Sequence, residues 1–276
     1  MTEPIVISSI NMKGGVGKTT TIINIADTLV RHFDKNVLVI DMDPQFNATQ
    51  ALFTKFKSID FYEELRNEGR TIANVILNGT GSGVTQETRT FTHDELVVEL
   101  YKNQNENKNK LYIIPGDLEL IAYESSRRGS EKIISSYFKK HIYDNYNLDY
   151  ILIDTPATYS IYSQASLIAS KYYIVPIAPD VFSTLGYSLL HKIMRKDLTL
   201  EDHNLENLGI IFTLVKDDKQ RRNAIQEKFK NEPQFATRIT EYEYIRTGRL
   251  ETLMYDMDYS RNEIIQLCQE LINKTT

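Results

Sequence analysis

The chain has 276 residues, 41% of them hydrophobic and 25% charged, with a formal net charge of −5. No apolar run approaches the roughly 18 residues of a membrane helix, and Met1-Thr2-Glu3-Pro4 is not a basic stretch ahead of an apolar one, so neither a span nor a signal peptide is expected. Cys268 is the single cysteine, which excludes an intramolecular disulfide and suits a reducing cytoplasm, and the acidic balance confines any nucleic-acid contact to a local basic patch.

Without an internal repeat, this length suits one α/β domain over 1–276. The first β-branched run, 5–10, predicts a buried strand, and Ile22, Ile23, Ile25, Ala26, Leu29 and Val30 predict a helix soon after it. The next strand is expected at 37–41. Residues 55–110 read as an elaboration beside the core, with surface loops at 78–90 (rich in Gly, Ser and Thr) and 102–110 (no apolar residue). Further strands are expected at 111–114, 150–154, 172–177 and 209–214, separated by helical patterns at 129–143, 160–170, 184–195 and 219–230. The chain closes on an amphipathic helix over 262–273. Buried strands alternating with helices predict a mostly parallel, twisted sheet covered by helices on both faces. The Asn-x-Thr sequons at Asn47 and Asn78 are read as chance in a cytoplasmic protein.

Three segments carry chemistry. Between the first strand and its helix lies Lys13-Gly14-Gly15-Val16-Gly17-Lys18-Thr19-Thr20. Glycines there free backbone N–H groups to converge on an anion at a helix N-terminus, the arrangement of a P-loop. Lys18 is placed to neutralise the β- and γ-phosphates of a nucleotide, and the Thr19 hydroxyl to ligate Mg²⁺. The usual P-loop pattern asks for glycine where this chain has Met12, and Lys13 follows as an added cation. The second segment, 37–45, ends a strand on Asp41 and Asp43; the third, 150–156, ends one on Asp154. Carboxylates at strand ends beside a phosphate loop can hold the hydration shell of Mg²⁺. Aspartates at such places also cap helices, but the three segments in this order make a nucleotide site in a P-loop NTPase fold.

Together these residues resemble the ParA/MinD family of ATPases with a deviant phosphate loop, and within it the ParA/Soj branch of DNA-partitioning proteins. The loop 13–20 and the run Asp41-Met42-Asp43-Pro44-Gln45-Phe46-Asn47-Ala48-Thr49 carry the resemblance, and 254–261 adds to it. Residues 237–249 depart from the family pattern, which leaves adenine contacts unassigned. The resemblance implies an ATP- and Mg²⁺-dependent homodimer in which Lys13 reaches the other subunit's phosphates and Gly14 gives two loops room to approach. It also implies that Asp43 positions the attacking water, with Asp41 and Asp154 nearer the Mg²⁺ shell. Residues 216–230 hold six basic side chains against three acidic ones. Lys219, Arg221 and Arg222, extended by Arg238, Arg246 and Arg249, form the expected patch for non-specific DNA. The first strand starts so near the N-terminus that this chain resembles short family members lacking an N-terminal DNA-reading domain. Such members leave centromere recognition to a small ParB-like partner, and a cytoplasmic, nucleoid-associated location follows.

Rival readings on the same fold fare less well. A membrane-positioning relative of the MinD kind needs a basic amphipathic tail, whereas 262–276 has one lysine and two glutamates. Iron–sulfur reductases need several cysteines. Tyrosine kinases carry a terminal tyrosine cluster, and the nearest approach here is Tyr242, Tyr244, Tyr255 and Tyr259. A metabolic ATP-dependent ligase would need a substrate pocket motif beside the phosphates, and ParA-type proteins that position a cargo other than DNA share the same loop.

Overall fold

The computed structural model describes residues 3–80, 91–104, 108–125, 129–180, 182–215, 227–243 and 252–276. Its strands are β1 (Ile5–Ser9), β2 (Val37–Asp41), β3 (Val98–Lys102), β4 (Lys110–Ile114), β5 (Tyr150–Asp154), β6 (Tyr172–Ile177) and β7 (Glu206–Phe212). They form one sheet in the order β3-β4-β2-β5-β1-β6-β7, parallel except for β3, which runs antiparallel to β4. The helices are α1 (Lys18–His32), α2 (Asn47–Phe56), α3 (Ile59–Asn67), α4 (Ile72–Thr80), α5 (His93–Leu96), α6 (Ile133–Tyr137), α7 (Ile161–Ala169), α8 (Ser183–Met194) and α9 (Asp258–Thr275).

Strand pleating sorts the apolar residues into two layers. Val37 and Val39 of β2, with Tyr150 and Leu152 of β5, pack against Ile22, Ile25 and Leu29 of α1 and Ile264, Leu267, Cys268 and Leu271 of α9. Their neighbours Leu38, Ile40, Ile151 and Ile153 face the other way, onto Ile134 and Phe138 and onto Tyr162 and Ala165 of α7. Each of β2, β5 and β6 is buried along its whole length, as the continuous β-branched runs require. Truncating one such side chain to alanine costs about 2–5 kcal/mol.

The fold expected from the sequence is present, with local differences. β3 pairs on the same sheet, so the 55–110 stretch includes an edge strand of the core sheet rather than lying wholly beside it. Its pattern was hard to read because Glu99 and Lys102 are exposed and the pairing slips between Glu99 and Tyr101. The helix expected over 129–143 divides into a 3₁₀ turn (Ser130–Lys132), α6 and a π turn (Phe138–Ile142). β7 begins three residues before its expected start. Gly209 (φ +127°) lets residues 233–234 cross its edge, where a Cβ would lie 2.8 Å from Pro233 backbone. The loop expected over 78–90 and the helix over 219–230 fall mostly outside the described residues.

A charge network ties the C-terminal segment to α1 and α2. Arg31 Nη1 donates to Asp27 Oδ2 (3.1 Å) and Asp256 Oδ1 (2.8 Å), and Lys55 Nζ donates to Asp256 Oδ2 (2.6 Å). Burial pushes the Asp27 carboxyl up to about 7 against the pull of Arg31. Burial acts in the same direction on Asp256, but hydrogen bonds from Lys55 and Arg31 outweigh it and hold that carboxyl below the usual range. The stabilisation from Asp256 is therefore complete above its unfolded value, near 4, and is lost as pH falls through the lower folded value. Asp256→Asn should destabilise the protein by about 1–2 kcal/mol at pH 7, with the difference from the parent shrinking below about pH 4. Thermal denaturation across pH checks this, and a constant difference down to pH 3 would contradict it.

Candidate functional site

β1 sits between β5 and β6, and β2 lies beyond β5, so the chain from β1 through α1 to β2 crosses β5. Open α/β sheets bind ligands outside the carboxyl ends of their strands at such a crossing. Here those ends present the loop after β1, Asp41 at the end of β2 and Asp154 at the end of β5. Asp41 and Asp154 stand opposite one another in register.

Four contacts shape the loop. Asn11 donates from Nδ2 to Pro176 O (2.8 Å), and its Oδ1 accepts from Lys13 N (2.9 Å). Thr213, just past β7, donates from Oγ1 to Val16 O (2.7 Å). Thr21 N and Oγ1 both donate to Gly17 O (2.9 and 2.7 Å). Gly15 and Gly17 have φ of +69° and +79°, a region that L side chains rarely adopt, and Gly17 directly precedes α1. No acidic residue occupies the first turn of α1, so its N-terminus offers an anion unopposed dipole and N–H groups.

A cleft of about 330 Å³ opens on this loop. It is lined by Gly14, Gly15, Val16, Gly17, Lys18, Thr19 and Thr20 of the loop and α1, by Asp43, Gln45 and Asn47 from the turn after β2, and by Ala157. Lys18 is 7% exposed. Burial lowers the affinity of its amine for a proton, opposed by Asp154 and Asp43. Thr19 Oγ1 donates to Asp154 Oδ2 (2.6 Å), while Asp154 Oδ1 is buried with no hydrogen-bond partner among the described residues. Burial, reinforced by Asp41, pushes the Asp154 carboxyl well up. An orphaned carboxylate oxygen beside a threonine hydroxyl fits a hydrated Mg²⁺, which asks for few protein ligands. No cluster of three or more His, Cys, Asp or Glu suited to a metal occurs among the described residues.

Asp41 sits back from the lining of the cleft and is fully buried. Its Oδ2 accepts from Thr49 N and Oγ1 (both 2.8 Å), and its Oδ1 accepts from Asp43 N (3.2 Å). Burial pushes its carboxyl up to about 7 in spite of the Thr49 hydrogen bonds. Both oxygens thus bond to α2 and the Asp43 turn, and the carboxyl stands beside that of Asp154. Asp43 is half-buried, and its Oδ1 accepts from Gln45 N (2.9 Å). Lys13 turns away from the cleft; its side chain is 41% exposed and its ammonium pairs with Asp180.

Sequence reading missed the supports of this site. Asn11 and Thr213 are ordinary polar residues until the fold brings them to the loop, and Thr49, quoted above only as the end of the 41–49 run, holds Asp41. Phe46 holds φ +43° at the start of α2, a strained conformation of the kind found at functional turns. Gly116 packs so closely that an added Cβ would lie 2.9 Å from Asp41 Cγ and from Phe46 Cβ, and its N–H donates to Thr49 Oγ1 (2.8 Å). Of the expected DNA-contacting residues, Arg238 is half-buried on the stretch that follows the β7 edge, while Lys219, Arg221, Arg222, Arg246 and Arg249 lie outside the described residues.

A family model described as an AAA domain matches residues 5–207. The virulence-plasmid ParA family protein pGP5-D of Chlamydia psittaci is 30% identical over 78% of this chain and 70% of its own length. This chain belongs to the ParA family. Among solved structures, a putative plasmid partition protein of Borrelia burgdorferi bound to AMPPNP superposes with a TM-score of 0.76 at 22% identity, covering 99% of this ParA-type chain and 100% of that one. The ParA fold is shared more widely. Cobyrinic acid a,c-diamide synthase of Mycobacterium smegmatis, with bound ATP analogue and magnesium, has a TM-score of 0.70 at 18% identity over 98% of this chain and 95% of its own.

Gly116→Ala should push Asp41 and Phe46 apart, costing about 1–3 kcal/mol and weakening Mg²⁺-dependent nucleotide binding through the displaced Asp43 turn. Thermal denaturation together with calorimetric titration of ATP tests this. A variant with parental stability and affinity would show that the close approach at Gly116 has no bearing on the site.

Proposed function

We propose that this chain is a Mg²⁺-dependent ATPase of the DNA-partition type, which dimerises on ATP and grips DNA without sequence preference. The observation that supports this reading best is the division of labour between two lysines of one loop. Lys18 is buried in the cleft, where it can neutralise phosphate, whereas Lys13 leaves its own cleft and carries a half-exposed ammonium outside it. A cation so placed suits a neighbouring subunit's site better than its own.

In this reading the glycines of 14–17 give the backbone close approach to the phosphates, and Thr19 with Asp154 holds Mg²⁺. When bound, the ion neutralises charge on the β- and γ-phosphate oxygens. Thr20 continues the first turn of α1 behind the phosphates. Asp43, on the turn after β2, orients the attacking water and accepts its proton. Lys13 of the second subunit stabilises charge building on the transferring phosphoryl group, as a trans-acting arginine does in other P-loop enzymes. Residues 1–276 act as one P-loop domain in this account, since the strand from its 55–110 elaboration pairs on the same sheet.

DNA would be held through Lys219, Arg221, Arg222, Arg238 and Arg246, and pairing of two subunits would double that patch. A ParB-like partner would supply site recognition and stimulate turnover at the nucleoid. Among the described residues no helix is long and apolar enough to cross a membrane. The plasmid ParA relative favours partition over the synthase reading, which rests on fold likeness alone.

Lys13→Ala should retain ATP binding and lose turnover by at least about 10³-fold, the lower end for a trans-acting cation. In parallel, ATP-dependent DNA retention by the parent should fall steeply with salt, with a log–log slope of about −0.9 per phosphate contacted. Parental hydrolysis by Lys13→Ala would refute the trans role. DNA retention insensitive to salt would refute the phosphate-contact reading.

A further inference from the structure

We infer that Asp180 is a positioning residue for Lys13, a latch that holds the ammonium in its own subunit until a second subunit offers phosphate. The inference rests on the reading of Lys13 as a trans-acting residue. Asp180 lies on the connection between β6 and α8, away from the lining of the nucleotide cleft. Its Oδ2 meets Lys13 Nζ in an ion pair. Its other oxygen is spoken for, since Oδ1 accepts from Phe182 N (2.9 Å) and from Ser183 Oγ (3.0 Å). The single Ser183 hydroxyl proton is shared between that oxygen and Ala178 O (2.7 Å), and Ser183 Oγ accepts from Asp180 N (3.0 Å), so the turn carrying the carboxylate is closed on itself.

The lysine is anchored as well. Its backbone N–H is fixed by Asn11 Oδ1, which in turn is held through Asn11 Nδ2 to Pro176 O at the end of β6. Both partners of the ion pair therefore hang from the carboxyl end of one strand, and the carboxylate cannot travel with the ammonium. Donation of Lys13 to another subunit requires the pair to break, and the latch opposes dimerisation by the strength of that pair. With side chains 41% and 32% exposed, the pair is a partly solvated one, worth about 1.5- to fivefold in an equilibrium. Two latches open per dimer, so their joint effect on the dimerisation constant is the square of this, about two- to thirtyfold. Such a threshold would keep the protein monomeric at low ATP without weakening the assembled site.

The test compares the parent with Asp180→Asn, Asp180→Glu and Ser183→Ala. Dimer fraction is followed by light scattering against concentration of a slowly hydrolysed ATP analogue with Mg²⁺, and thermal midpoints establish that each variant is folded. Asp180→Asn keeps the acceptor for Phe182 N and Ser183 Oγ but removes the charge. It should dimerise about two- to thirtyfold more readily, with turnover per assembled dimer unchanged. Asp180→Glu restores the charge and should return toward the parent. Ser183→Ala loosens the turn without touching the charge and should not tighten dimerisation. A merely structural role for Asp180 predicts the opposite sign, with weaker assembly in Asp180→Asn. If the parent dimerises on the ATP analogue and Asp180→Asn assembles no better, the latch is refuted while the trans role of Lys13 stands. If the parent does not dimerise, the trans reading fails and the latch fails with it.

Discussion

Everything at the nucleotide cleft depends on keeping a carboxylate, Asp154, in a place with no solvent. It is fully buried at the end of the central strand, one oxygen taken by the Thr19 hydroxyl at 2.6 Å and the other without a partner among the described residues. An unpaired buried charge is costly, and burial accordingly favours its protonated form. The arrangement makes sense when a cation shares the site. The ammonium of Lys18, itself buried and disfavoured by desolvation, stands close enough to act on Asp154 and Asp43. Each charge is expensive alone, and the nucleotide and Mg²⁺ proposed for this site would let them compensate one another.

The rest of the fold works to hold that compensation in place. β5 is flanked by β1 and β2, which puts the phosphate loop and the Asp43 turn on either side of Asp154. Asp41 is spent on the turn, through Thr49 and the Asp43 N–H, and Gly116 keeps the space that this packing needs. On the far side, β7 and β6 brace the loop through Thr213 and Asn11. The phosphate loop is thereby pinned from both neighbours, while the Lys13 side chain pairs outward with Asp180.

Much of this was legible in the sequence because burial on both faces writes continuous apolar runs. β1, β2, β5 and β6 were read that way, each within a residue, and the glycine and lysine spacing of 13–20 gave the loop. What escaped were features that depend on partners distant in sequence. β3 has one solvated face and a slip in register, so its alternation is weak. Asn11 and Thr213 acquire meaning only when β6 and β7 approach the loop. The hold of Thr49 on Asp41 was not legible either, because the sequence cannot reveal which way a buried side chain turns.

The central claim is that each nucleotide site takes one lysine from a second subunit. Mixing Lys13→Ala with Asp43→Ala tests it most directly, because each variant alone lacks one half of the shared chemistry. In a mixed dimer the site with intact Asp43 receives Lys13 from the other subunit and is complete. Random pairing at equal concentrations makes half the dimers mixed, each with one complete site, so the account predicts recovery of about a quarter of parental turnover from two inactive proteins. A mixture as inactive as its components, under conditions where the two variants are shown to pair, would contradict it.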